Sequence, residues 1–154
     1  MTISIPHPDG QIEVPTEAVV TLLEPLLGFP DRRDYALLPA SRDGLWWFVS
    51  TSEPVATFVL ADPFVAVPEY SFELSTEDQA RLGIEQETDA LLLVLLRIPL
   101  PADGTVTANV RAPIVCNLRT RVAAQIISDL DRHALGHPVD LTRYPLRTAE
   151  SLPG

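Results

Sequence analysis

Residues 105–127 read TVTANVRAPIVCNLRTRVAAQII, and the rest of the chain is organised around them. Val106, Ala108 and Val110 alternate with Thr107, Asn109 and Arg111, the period-two pattern of a half-buried strand. Pro113 has no N–H to give to a ladder, which places it at a strand edge, a strand start or a bulge. Ile114, Val115 and Cys116 continue as an apolar run that stops at Asn117. Arg119, Thr120 and Arg121 make a charged turn, and an apolar return begins at Val122. The stretch predicts two or three short strands around one proline.

Outward from it, the pattern repeats. Thr2, Ile3, Ser4 and Ile5 and then Gln11, Ile12, Glu13 and Val14 are strand-like, joined by the turn Pro8-Asp9-Gly10. Pro25 and Gly28-Phe29-Pro30 break the next segment into loop. Residues 35–38 are a short strand stopped by Pro39, and the Asp43-Gly44 turn leads into a strand over 45–50. Trp46 and Trp47 are adjacent, so on a strand they face opposite sides, one into the core and one onto a surface. Residues 55–60 form another strand ending at Asp62-Pro63, a turn signal. Strand-like pieces at 64–67 and 70–74 follow, interrupted by Pro68.

Ser75 then opens a helix as its N-cap, with Glu77 and Asp78 in the first turn and Gly83 as its stop. Glu85, Glu87 and Asp89 precede the leucine-rich run 90–98. Its length and the prolines after it favour a buried strand, with a buried helix as the rival. From Ser128 the pattern fades, and Pro138, Pro145 and Pro153 suggest a tail over 134–154 that packs along the domain or is partly mobile. Many short strands with proline- and glycine-rich turns predict a mainly β protein. We expect one compact β-barrel or sandwich of short antiparallel strands over residues 1–133, with one or two short helices.

Composition limits function. The 154 residues carry a formal charge of −10, with 21 acids against 11 bases, and every base is arginine. Such a surface is a poor ligand for phosphate backbones and a good one for a basic protein. Without lysine there is no P-loop or Schiff-base chemistry, and the seven glycines form no nucleotide-binding or nucleophile-elbow motif. His133 and His137 have metal-binding spacing, but Gly136 and Pro138 argue against the helix it needs. Cys116, alone and in an apolar run, reads as an inert buried thiol, and Asp129 and Asp131 as solvated acids. No catalytic residue, metal site or cofactor is indicated. The N-terminus lacks a signal peptide's basic region and apolar run, and the longest apolar run is far short of a membrane span, so a cytoplasmic protein is expected.

An interaction surface fits better. Phe64, Tyr70 and one of the tryptophans lie in or beside proline-punctuated loops with Asp62, Glu69 and Glu73 interleaved, as aromatic anchors with a charged rim. Phe64 and Tyr70 read equally as plugs of the barrel. A small hydrophobic-ligand-binding β-barrel is the alternative from another class.

The wording of these stretches resembles the flagellar assembly factor FliW family. The carriers are TANVRAPIVCN over 107–117 with Gln125-Ile126-Ile127 after it, Gly28-Phe29-Pro30 followed by YALLP over 35–39, and TFVLADPFVAVPEYSFEL over 57–74. Asp62 stands where the family usually has Asn, and Ala123 where Gly is common. The resemblance implies a β-barrel without catalytic activity, monomeric when free, that binds the carbon storage regulator CsrA and flagellin. CsrA is a basic RNA-binding repressor of flagellin mRNA, and flagellin would draw the factor away from it. Contact residues implied first are Asp62, Pro63, Phe64, Glu69, Tyr70 and Glu73, then Asn109, Arg111 and Asn117. Arg111 and Asn117 serve equally well as structural residues at the Pro113 bend.

Overall fold

The computed structural model describes residues 1–7, 10–26, 29–30, 32–52, 56–98, 105–127 and 136–146. Seven strands close on themselves: β3 (Val19–Leu22), β4 (Asp34–Pro39), β5 (Leu45–Ser50), β6 (Thr57–Ala61), β7 (Ala90–Arg97), β9 (Ile114–Asn117) and β10 (Val122–Gln125). The order β7-β6-β5-β4-β3-β10-β9 returns to β7 through the pairs Ala90–Asn117 to Leu93–Ile114. This is the mainly β barrel expected, antiparallel except where β10 runs parallel to β3. β8 (Thr107–Ala108) pairs antiparallel with the far end of β7 and carries β11 (His137–Pro138) on its other side.

Period-two alternation explains what fills the barrel. Trp46 and Phe48 point inward while Trp47 points out, 44% exposed, so the paired tryptophans separate as predicted. Tyr35 stacks on Phe48 at 4.4 Å and 7°, and Phe29 meets Phe58 edge-on at 5.0 Å. With Leu22, Leu60, Leu93, Ile114 and Cys116 these rings pack the lumen. Cys116 is buried, and burial pushes its thiol up to about 11.

The leucine run is a strand, not a helix. It does not alternate because both of its faces are covered: Leu91, Leu93 and Leu95 face the lumen, while Leu92, Val94 and Leu96 lie under other segments. Three covers serve the outer wall. The hairpin of β1 (Thr2–His7) and β2 (Gly10–Pro15) lays Ile5 and Val14 on Ala36 and Val49. Helix α2 (Thr76–Leu82) lays Leu82 on Val115 and Ala124. Residues 136–146 bring Tyr144 over Leu45 and Ala61. Trp47 lies on the same outer face of β5, between Leu45 under one cover and Val49 under another.

Helix α2 has the ends read from its sequence. The Ser75 hydroxyl accepts from the Asp78 N–H at 3.0 Å, and Gly83 ends the helix at φ +67, where a side chain is strained. Elsewhere the structure departs from expectation. Residues 64–67 are not a strand: Pro63–Ala66 is one helical turn, α1, whose N-cap Asp62 accepts from the Phe64 N–H at 2.9 Å. Proline at the first helical position and aspartate before it favour that turn over extended chain. Residues 70–74 form no regular element and pair with no strand among the described residues. Of the tail, residues 136–146 are described. β11 pairs with β8, and Tyr144 is fully buried. The strand pattern of 105–111 narrows to Thr107–Ala108, and Pro113 stands directly before β9.

Candidate functional site

A concavity of about 730 Å³ lies outside the barrel beside the first half of β7. One wall is the segment after β6, contributing Asp62, Phe64, Phe72 and Glu73. The opposite wall is the link from α2 to β7, contributing Ile84, Glu85 and Glu87. Ala90, Leu92 and Val115 form the floor. The floor is apolar, the rim is carboxylate, and among the described residues no arginine lines the groove.

Local chemistry fixes each wall. Asp62 is held from behind: the Tyr144 hydroxyl donates to its carbonyl at 2.7 Å, and its own N–H donates to Gly44 at 2.8 Å. Arg42 donates to the Tyr144 carbonyl at 2.9 Å, and the Asp43 N–H to Pro145 at 2.7 Å, so residues 144–145 strap the turn before β5. Burial, and then the nearby Asp62 charge, pushes the Tyr144 phenol up to about 12. Pro63 is buried at the start of α1, and Phe64, 47% exposed, stands out from it. Its ring meets Tyr70 edge-on at 5.7 Å. The Tyr70 ring is buried and its hydroxyl donates to the Val110 carbonyl at 2.8 Å, which burial accompanies with a pKa of about 12. Tyr70 therefore pins this wall to the 105–112 segment.

The residues singled out from sequence thus divide. Asp62, Phe64 and Glu73 come together at the groove. Tyr70 supports Phe64 from beneath, and Glu69 is exposed in the turn before it. Asn109 is occupied in a local turn, its Oδ1 accepting from the Ala112 N–H at 3.1 Å, and Arg111 is half-buried nearby. Asn117 is 0% exposed and works inside the fold. Its Nδ2 donates to the Leu82 and Gly83 carbonyls at 2.8 and 3.1 Å, and its Oδ1 accepts from the Arg119 and Thr120 N–H groups at 2.9 and 3.2 Å. It ties the end of α2 to the β9–β10 turn and so steadies the opposite wall. Of its two readings, the structural one describes these contacts.

Ile84, Glu85 and Glu87 were not singled out as site residues. Their signal was the acidic spacing before the leucine run, which reads on its own as a solvated segment. Gly28, Asp129, Asp131 and His133 lie outside the described residues. Among the described residues no group of three metal-ligating side chains gathers, and no helix is long and apolar enough to cross a membrane.

The model of the FliW protein family matches residues 6–139. The chain belongs to the FliW family. The flagellar assembly factor FliW of Pseudothermotoga lettingae is 32% identical over 130 residues, covering 84% of this chain and 83% of that protein. That of Geobacillus kaustophilus is 36% identical over 118 residues, covering 77% and 81%. A crystal structure of the flagellar assembly factor FliW superimposes with a TM-score of 0.76 at 28% identity, covering 90% of this chain and 96% of that one. The FliW match takes in both groove walls and ends short of Tyr144, which clamps one of them from behind.

Proposed function

We propose that this FliW-family protein acts in flagellar assembly by binding proteins, without catalysis or cofactor, in the cytoplasm. In this reading it binds the basic regulator CsrA, prevents it from holding flagellin mRNA, and gives it up when free flagellin occupies the factor. The observation that carries the reading is the apolar groove with a carboxylate rim, in a chain of charge −10 that has no lysine. That surface attracts a basic protein and repels the phosphate backbone the protein holds. Mutual exclusion of the two partners is an unfavourable coupling free energy between their binding events. The rival reading, a barrel enclosing a small apolar ligand, meets a lumen filled by stacked aromatic rings.

The test follows a labelled flagellin leader RNA bound to CsrA by fluorescence anisotropy. Adding this protein should release the RNA, and adding flagellin should restore the complex. RNA that stays bound at saturating protein would overturn the proposal.

A further inference from the structure

Beside the floor of the groove, the edge of β7 that faces away from β9 is open. β7 pairs with β9 from Ala90 to Leu93, but on its other side β6 reaches only Val94, Leu95 and Leu96. Below Val94 no strand lies on that side among the described residues. The direction of the peptide groups follows from two hydrogen bonds. The Leu118 N–H donates to the Asp89 carbonyl and the Asn109 N–H to the Leu95 carbonyl, so odd-numbered residues of β7 turn toward β9 and β8. Alternation then turns the Leu92 peptide groups into the groove. Ala90 turns the same way, and its N–H is already bonded to the Glu87 carbonyl.

We infer that the groove takes an extended segment of a partner protein as an added strand, paired to β7 at Leu92. Its apolar side chains would lie on the floor and its arginine or lysine side chains at the rim. The inference rests on the protein-binding reading above and names the kind of segment recognised. Strand addition draws affinity from main-chain hydrogen bonds and specificity from pockets for alternate side chains. Both are present here, the pockets formed by Phe72, Ile84 and Val115. Charge complementarity selects the occupant, because Asp62, Glu73, Glu85 and Glu87 stand around the groove with no basic side chain in its lining among the described residues. The two walls also explain how an open edge is tolerated. A whole sheet cannot reach a recessed edge, whereas one strand can.

The experiment uses the full chain, labelled with ¹⁵N, and an acetylated, amidated peptide that alternates valine with arginine. Expected are amide shifts gathered at the groove, slowing of Leu92 amide exchange by about tenfold or more, and weaker binding at high salt. The double variant Glu85→Arg with Glu87→Arg, both exposed and outside the core, should lose binding. A peptide N-methylated on the pairing edge should lose it as well. Equal binding of the N-methylated peptide would mean charge attraction or a helical occupant and would overturn strand addition. Shifts scattered over the surface, or no binding at millimolar peptide, would overturn the site. This failure is distinct from failure of the protein-binding reading, since CsrA binding by the whole protein is measured separately.

Discussion

Replacing Asn117 by alanine tests whether this residue serves the fold. The substitution removes four hydrogen bonds at once, two donated to the end of α2 and two accepted from the β9–β10 turn. The Gly83 carbonyl keeps the Arg119 guanidinium at 2.9 Å, so its loss is partial. The Leu82 carbonyl lies in a buried contact, and an unsatisfied buried acceptor costs about 1–3 kcal/mol. The two turn N–H groups lie beside exposed residues, and each loss adds about 0.5–1.5 kcal/mol. The sum, about 2–6 kcal/mol, is a large share of the roughly 5–15 kcal/mol that holds a typical domain. For a chain of this size it lowers Tm by about 4–24 °C. Thermal unfolding followed by circular dichroism reads this directly. A variant melting within about 3 °C of the parent would show that Asn117 does not secure α2 to the barrel.

Other expectations follow from the same contacts. Gly44→Ala should destabilise more than Gly83→Ala in chemical denaturation. Both positions have positive φ, but a Cβ at Gly44 would meet Tyr144 Cδ1 at 2.9 Å, whereas at Gly83 its nearest neighbour is 3.7 Å away; equal losses would count against the strap. Stability should also fall as pH rises from about 10 toward 12. Tyr70 and Tyr144 are both pushed up to about 12 in the fold, so the unfolded chain, with phenols near 10, loses those protons first. Below pH 10 this contribution is fully present, and Tyr70→Phe should flatten the alkaline loss; an unchanged profile would contradict the assignment.

What was legible in the sequence is what local chemistry decides. Ser75 and Gly83 bound α2 because a cap and a left-handed stop act within a few residues. β5 was legible because its inward and outward positions alternate. β3 was not recognised, since Val19, Val20, Thr21 and Leu22 offer no clear alternation and one partner, β10, lies about a hundred residues away. The 64–74 segment read as strand because it is aromatic and apolar, yet Asp62 and Pro63 start a helical turn that overrides that preference. Tyr144 stood as one aromatic in a polar tail; its importance rests on Gly44, which leaves space for the ring, and on the Asp62 carbonyl. The acidic wall at Glu85 and Glu87 was visible as charge, but only the fold places it across from Asp62 and Phe64. Asn117 lay inside a motif that drew attention to it, and pattern alone could not separate a buried tie from an exposed contact.

Titration calorimetry against the host's CsrA, at low and at high salt, reads the role of the acidic groove. Saturable binding is expected at low salt, weakening as salt screens the acidic rim and lost in the Glu85→Arg, Glu87→Arg double variant. No binding at low salt, or binding indifferent to both salt and charge reversal, would contradict it.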